Sequence, residues 1–123
     1  FYRNADFNTY GFLNVREDFA EDYPEYVNRV IQVYEKARKW VLENPDEAAK
    51  LLAEEASIQE DVARIQLERN DFSEPVPGEI HPEALVEAGK LLQEGEVIDS
   101  EVDVEELTSN LIDPSFAEET IRD

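Results

Sequence analysis

The sequence has no cysteine, one histidine and only four glycines. Without cysteine there is no disulfide, no thiolate nucleophile and no Cys-ligated zinc. A single imidazole has no second one beside it to build a His-based metal centre. The four glycines do not cluster, so no Gly-rich phosphate-binding loop exists. These absences predict a protein that is not an enzyme and that holds neither a cofactor nor a metal.

Basic residues are also scarce. The chain carries 31 acidic and 11 basic residues, and its formal net charge is −20. Such a surface repels phosphate backbones and anionic membranes, so we expect no binding to nucleic acid. Few lysines among many carboxylates also occur in proteins adapted to saline surroundings. The simpler interpretation is a solvated surface that keeps the protein in solution.

Long hydrophobic runs are absent as well. No apolar stretch approaches the roughly 18 residues that a membrane-spanning helix needs. The chain starts at Phe1 with no apolar segment behind it, so we expect no signal peptide within it. We interpret the Phe start as the mark of a chain that was processed, trimmed or cut from a longer one. Hydrophobic residues still make up 41% of the 123 positions, which is too high for a disordered tail and enough for one domain.

The segment from Tyr10 to Arg16 is rich in aromatic and β-branched residues. This pattern predicts one short strand near residues 10–16, buried on at least one face. A strand needs neighbours for its backbone hydrogen bonds, and no other segment is an equally good strand. The partner strands are therefore missing or supplied by another molecule.

The strongest periodic signal begins at Pro24. Apolar residues recur there every three or four positions, which predicts a helix of about twenty residues. The residues of this apolar stripe are Val27, Val30, Ile31, Tyr34, Ala37 and Val41. Val33, Trp40 and Leu42 widen the stripe, so we expect more than one side of the helix to be covered.

Helix-start patterns divide the rest of the chain. Predicted capping residues are Asp18, Asn44, Ser57, Asp103 and Asp113. The short joints around Asn44 and Ser57 predict three tightly packed helices. A connection without regular structure is expected over residues 70–80. Pro82 is expected to restart a helix with Leu85, Val86, Leu91 and Leu92 inward, and Gly95 to end it.

Few residues are candidates for chemistry. His81 is either a general base or metal ligand, or simply a cap or loop residue, and the second is the commoner situation. Asp99, Glu101 and Asp103 alternate as in a calcium loop, but Val104 replaces the required glycine and Asn110 the bidentate glutamate, so we reject an EF-hand. The aromatic residues Tyr26, Tyr34 and Trp40 are expected in the core rather than in a ligand box.

The order of these segments resembles one family. Its signature here is Val15-Arg16-Glu17-Asp18-Phe19-Ala20-Glu21 before Pro24, then Ala37-Arg38-Lys39-Trp40-Val41-Leu42-Glu43-Asn44-Pro45, then Leu51-Leu52-Ala53. From about Tyr10 to Leu111 the chain resembles the C-terminal part of ABC-importer substrate-binding proteins of the aliphatic sulfonate, taurine and nitrate group. The wider family includes receptors for pyrimidine precursors and related synthesis enzymes.

The resemblance implies a two-lobed α/β periplasmic-binding-protein fold of type II, of which this chain is the mostly α, helical C-terminal portion. Residues 1–16 would be a strand and connection from the missing lobes, and residues 17–123 a single helical region. Near the inter-lobe connection, Asn8 or Tyr10 is a candidate donor to a sulfonate-like anion, although a loop and a core position are the commoner roles for them.

The implied partners are a small anionic solute and an ABC permease, outside the cytoplasm in a periplasm or anchored to lipid. Two alternatives stay open. The first is a free-standing helical domain that pairs exposed apolar faces with a partner protein. The second is an enzyme of the pyrimidine-precursor branch, against which the lack of a nucleophile argues. For the chain alone we expect some self-association, because a lone strand and a wide apolar face near Trp40 lack partners.

Overall fold

The computed structural model describes residues 11–78 and 80–121. This part of the chain is mostly helical, as the sequence predicted. Its helices are α1 (Glu17–Asp22), α2 (Pro24–Glu43), α3 (Pro45–Ala56), α4 (Glu60–Arg69), α5 (Ile80–Glu94), α6 (Val104–Leu111) and α7 (Ser115–Thr120). None of these helices is long and apolar enough to cross a membrane.

The prediction of a strand near residues 10–16 is wrong for its described portion. Residues 11–16 have no regular secondary structure, and no strand lies anywhere in the described ranges to receive their backbone hydrogen bonds. Leu13 and Val15 are exposed there instead of buried. β-Propensity reflects packing on a sheet, so an aromatic and β-branched segment without a neighbouring strand gains nothing by extending into one. Tyr10 lies outside the described residues.

The predicted helix boundaries agree with the structure better than the predicted capping residues do. Pro24 and Pro45 each open a helix, and α2 has the predicted twenty residues. Ser57 does not cap α4; it ends α3 in the left-handed region with φ of 53°, and its N–H donates to the Ala53 and Glu54 carbonyls. Residue Gln59 is the cap position of α4. The sequence pattern therefore predicted the boundary between α3 and α4, but it assigned Ser57 to the start of α4 instead of the end of α3.

Two other predicted caps bond differently from expectation. Asp18 lies inside the first turn of α1, where its carboxylate accepts from Arg16 at 2.9 and 2.6 Å. Asn44 does occupy the cap position of α3, yet its side-chain amide donates back to the Trp40 carbonyl at 2.9 Å. The Asp18 carboxylate is therefore taken by a basic side chain, and the Asn44 side chain bonds back to the end of α2, where the Asn44 backbone amide donates to the same Trp40 carbonyl.

The described residues form two compact units. The first unit contains residues 11–24 and 78–112, in which α5 packs on α6. Gly89 of α5 is buried against Val104 of α6, so the two backbones approach closely at this point. The side-chain amide of Gln93 donates to the carbonyls of Asp99 and Val102 at 3.0 and 2.8 Å. These two bonds hold the connection between α5 and α6.

The inward positions predicted for this unit are partly wrong. Leu91 and Leu92 are exposed, as are Leu107 and Leu111 of α6. Val104 and Thr108 are the buried residues of α6. The leucines follow a correct helical period, but within the described residues no element covers their face.

Replacing Asp103 by alanine is expected to destabilise the first unit. The Asp103 carboxylate accepts from the Glu106 amide at 2.9 Å, which confirms the predicted cap. Loss of this bond leaves a first-turn amide of α6 without its acceptor and costs about 1 kcal/mol. Urea unfolding followed by far-UV circular dichroism measures the change. Asp103→Asn, which keeps an acceptor oxygen, is the control and should lose much less; equal losses for both variants would contradict the capping role.

The second unit contains residues 25–77 and 113–121. Its helices α3 and α4 pack closely, and the buried residues of this pair are alanines: Ala48, Ala49 and Ala63. Small side chains allow helix axes to approach, but each buries little apolar area. The larger apolar residues of the same pair, including Leu51, Val62 and Ile65, are exposed. This unit therefore has a thin core and a wide apolar exterior.

Candidate functional site

The second unit contains an open groove lined by residues of α2 and the segment around the end of α7. It has a volume of about 410 Å³ and lies between α2 and the end of α7. Its lining residues are Gln32, Glu35, Lys36, Lys39, Trp40, Glu43, Thr120 and Ile121. The α2 members recur every three or four residues, so they share one face of the helix.

A side-chain bond ties the far wall of the groove to α2. The Thr120 hydroxyl donates to the Asn28 side-chain oxygen at 3.0 Å. This bond positions the end of α7, and with it Ile121, next to the helix. The groove volume falls within the range of small-molecule sites.

The groove combines an apolar surface with charges of both signs, two lysines and two glutamates. Trp40 is 39% exposed and supplies the largest apolar side chain of the lining. Lys36 makes no ion pair within the described ranges, while Lys39 contacts Glu35 at 3.4 Å. The Lys36 ammonium group thus lies next to an apolar wall, with the Glu35 and Glu43 carboxylates in the same lining. No lining residue is a nucleophile paired with a base.

An ion pair beneath the groove fixes the middle of α2. The Arg38 guanidinium donates two bonds to the Glu35 carboxylate, at 2.7 and 2.9 Å. A third bond, at 2.5 Å, runs to the carbonyl of Phe72 in the connection after α4. Both side chains are mostly covered, with exposed fractions of 20% for Arg38 and 11% for Glu35. Arg38 therefore joins α2 to a segment that lies more than thirty residues further along the chain.

The Arg38 guanidinium also lowers the pKa of Glu35 below its ordinary value of 4.5. A carboxylate whose pKa is depressed in the folded state adds stability above its unfolded pKa. That stability is lost as the pH falls through the lower folded pKa. We expect the stability difference between wild type and Glu35→Gln to shrink as the pH is lowered below about 4.5.

Urea unfolding of both proteins at pH 7 and pH 3 tests this expectation. Only the difference between them is informative, because acid also relieves the repulsion among the other carboxylates of both proteins. A difference that stays constant across this range would show that Glu35 is not held ionised by Arg38.

The residues predicted to bind the solute are not placed by the structure. Asn8 and Tyr10 lie outside the described residues. The aromatic residues expected in the core are instead exposed: Tyr26 by 49%, Tyr34 by 61% and Trp40 by 39%. They follow the helical period correctly, but that period does not place them in a core, and Trp40 lines the groove with Thr120 and Ile121.

His81 lies at the start of α5. Its Nδ1 is 2.8 Å from the Gly78 amide, which donates to it, and its ring meets Phe12 edge to face at 5.6 Å. Both contacts agree with the cap or loop position that the sequence favoured for His81. The rejected calcium loop is likewise occupied locally, since Asp99 accepts from the Glu101 amide and Asp103 caps α6. No group of His, Asp and Glu side chains in the described ranges is arranged to hold a metal ion.

Sequence reasoning missed the groove. Lys36, Lys39 and Glu43 lie opposite the predicted apolar stripe of α2, and nothing in their spacing indicates a facing wall. That wall comes from Thr120 and Ile121, almost eighty residues after Glu43. A signal existed in the single tryptophan next to two lysines, but periodicity alone does not say which distant segment meets it.

One known protein is distantly similar to the chain. A Bacillus subtilis (strain 168) protein named "Putative aliphatic sulfonates-binding protein" is 27% identical over 107 residues. The match covers 87% of this chain and 32% of that protein, so the chain spans about a third of the relative's length. The chain matches no family model and no solved structure. The similarity therefore points to a class, the solute-binding receptors, without establishing membership of a family.

Proposed function

We propose that this chain is the C-terminal helical region of an extracytoplasmic receptor that delivers a small sulfonate-like anion to an ABC importer. The distant similarity to an aliphatic sulfonates-binding protein over most of the chain is the observation that carries this proposal. It agrees with the resemblance found in the Val15–Pro24 and Ala37–Pro45 segments. In this role the chain contributes to binding and transport and performs no reaction of its own.

The exposed apolar surfaces support a role as part of a larger fold. Val33, Leu91, Val97 and Leu111 are each exposed by about two-thirds or more. Monomeric soluble domains rarely expose so many large apolar side chains to water. A receptor about three times as long supplies further elements able to cover them. The absence of a strand in the described ranges is consistent with a sheet contributed by those elements.

A net charge of −20 is compatible with anion binding. The field inside a site is set by its nearest donors and its dehydration, more than by distant surface charges. Lys36 beside Trp40 shows that this acidic chain presents a local cation next to an apolar surface. Asn8 and Tyr10 remain our proposed donors to the solute near the connection between the lobes.

A thermal-shift panel on the complete receptor polypeptide tests the proposal. The compounds are taurine, short alkanesulfonates, nitrate, bicarbonate and a pyrimidine precursor. A solute at about 100 times its dissociation constant adds about 2.7 kcal/mol, which raises Tm by a few degrees. We expect a shift with at least one sulfonate. Shifts with none of the sulfonates, or only with a pyrimidine precursor, would contradict the proposed solute class.

The second candidate is a free-standing helical interaction domain, and the exposed apolar side of α2 favours it. Sedimentation velocity of the 123-residue chain distinguishes the two. A region removed from a larger fold is expected to self-associate as its concentration rises, because several uncovered faces meet at random. A strictly monomeric, cooperatively melting chain would favour the independent domain.

A further inference from the structure

The negative charge of the chain is divided unevenly along its length. Residues 25–77, which include α3 and α4, have twelve acidic and seven basic side chains. Residues 78–112, which include α5 and α6, have ten acidic side chains and one basic side chain, Lys90. The excess of acidic over basic side chains is therefore nine in the shorter segment and five in the longer one.

Lys90 is placed between the two helices of the acidic segment. Its Nζ lies 2.9 Å from the Glu105 carboxylate of α6 and 3.8 Å from the Glu87 carboxylate of α5. Lys90 is 47% exposed, so these ion pairs contribute little stability. Within the described ranges, the other carboxylates of residues 80–112 make no ion pair. They belong to Glu83, Glu94, Glu96, Asp99, Glu101, Asp103 and Glu106.

Folding brings these carboxylates together. Glu83, Glu87 and Glu94 are separated by four and seven positions, so they share one side of α5. The hydrogen bonds of the Gln93 side chain fold the connection between α5 and α6 back onto the end of α5. An unfolded chain keeps such groups further apart, so the repulsion among them is greater in the folded state. The connection adds the carboxylates of Glu96, Asp99 and Glu101.

These carboxylates are in contact with solvent. All of the unpaired ones between residues 80 and 112 belong to exposed residues. An element that covered them would have to remove charged groups from water, which is far more costly than covering apolar surface. Further elements of a longer polypeptide therefore gain by packing on exposed leucines such as Leu91 and Leu107 and leave the carboxylates in solution. Dissolved ions can reach the carboxylates there.

The packing that opposes this repulsion is small. The buried residues of the first unit, within the described ranges, are Gly89, Val104 and Thr108. Repulsion through solvent is screened by salt, and its range falls from about 30 Å at 0.01 M to about 3 Å at 1 M ionic strength. Apolar packing is not weakened in this way, since it does not depend on charge. The balance between packing and repulsion in this unit is therefore set by the salt concentration.

The charges of α3 and α4 are arranged differently. Arg64 of α4 bonds to the Asp46 carboxylate of α3 at 2.5 Å and contacts Glu60 at 3.4 Å. Salt weakens these attractions together with the repulsions among neighbouring carboxylates, so the two changes oppose each other. The α3–α4 pair is thus expected to respond less to salt than the α5–α6 pair.

We infer that the α5–α6 pair is a salt-dependent element of the fold, which packs in a saline medium and loosens in a dilute one. The scarcity of basic side chains is then an adaptation to saline surroundings, concentrated in residues 78–112, and not only a means of staying in solution. This inference concerns the medium in which the chain works. It is independent of the solute that the proposed receptor takes.

Hydrogen exchange followed by mass spectrometry tests the inference on the complete polypeptide, because peptides from the two helical pairs are read separately. Exchange is compared at about 0.05 M and about 2 M sodium chloride, relative to an unfolded reference peptide at the same salt. We expect the protection of α5 and α6 amides to rise about tenfold in the stronger salt, and that of α3 and α4 amides less than about threefold.

Neutral substitutions separate local repulsion from the net charge of the whole chain. Glu83→Gln, Glu94→Gln and Glu101→Gln together should raise the protection of α5 and α6 at low salt and remove most of their salt response. The matched control makes the same change of net charge at three exposed positions of α3. It should leave the response of α5 and α6 nearly unchanged, because these carboxylates belong to the other unit. The control substitutions are Glu47→Gln, Glu54→Gln and Glu55→Gln.

Three results would overturn the inference. One is an equal salt response of the two helical pairs in the unsubstituted protein, a comparison that needs no variant. Another is a loss of protection in α5 and α6 as salt is added. The third is a salt response of α5 and α6 that the two sets of substitutions reduce equally, which would assign it to net charge alone.

Discussion

Gly89→Ala lowers the free energy of unfolding of the chain by about 1–2 kcal/mol, although alanine is the better helix former. On an open helix face the same exchange would stabilise the protein by roughly 0.5–1 kcal/mol. At Gly89, however, an added Cβ meets the Val104 Cγ1 at less than van der Waals distance, with the rest of that side chain close behind. Val104 is itself buried and β-branched, so it has little room to turn away. Steric overlap therefore outweighs helix propensity.

Urea unfolding monitored by circular dichroism measures this loss. Gly78→Ala is the matched control, because a Cβ there meets nothing within 4 Å. Adding Val104→Ala to Gly89→Ala should recover part of the loss relative to the sum of the single changes, since the smaller side chain makes room. A stabilising effect of Gly89→Ala alone would show that α5 and α6 do not pack this closely.

Arg38→Ala is expected to lower the free energy of unfolding by about 2–3 kcal/mol. The change removes three hydrogen bonds and leaves the covered Glu35 carboxylate with Lys39 as its remaining cation. The Phe72 carbonyl also loses its donor, so the connection after α4 is released from α2. The cost exceeds that of a surface ion pair because both partners are mostly shielded from water.

The ion pair of Arg64 with Asp46 and Glu60 provides the control. Its members are all more than 40% exposed, so Arg64→Ala should lose clearly less stability than Arg38→Ala. Glu35→Leu combined with Arg38→Met should also lose less than Arg38→Ala, because no unpaired charge remains. Equal losses for Arg38→Ala and Arg64→Ala would mean that the Arg38 bonds are no more protected from solvent than those of Arg64.

Helices were predictable from local chemistry, and their burial was not. Pro24, Pro45 and Asp103 begin helices through their own backbone or side-chain properties, so local sequence suffices. Whether Val33 or Leu91 is covered depends on segments far away, and the period of a helix does not reveal how many of its sides have neighbours. The strand near residues 10–16 failed for the same reason, since a strand exists only with a partner.

The groove shows the same division between local and distant information. Trp40, Lys36 and Lys39 share a face because of helical geometry, which the sequence displays directly. Their use as one wall of a groove depends on the Thr120–Asn28 bond between residues 92 positions apart. A single sequence contains no signal for such a pairing. The ion pair of Glu35 and Arg38 has the spacing of a local helical pair. Nothing in the sequence indicated the further hydrogen bond from Arg38 to the Phe72 carbonyl.

The most direct test of the receptor proposal is calorimetric titration of the complete receptor polypeptide with two ligands of equal chain length, an alkanesulfonate and the corresponding alkylammonium ion. The two have the same apolar part and differ in the sign of charge, so their comparison separates anion recognition from general apolar binding. We predict saturable one-to-one binding of the sulfonate and none of the ammonium ion. Equal binding of both, or binding of the ammonium ion alone, would contradict the assignment of this chain to a receptor for sulfonate-like anions.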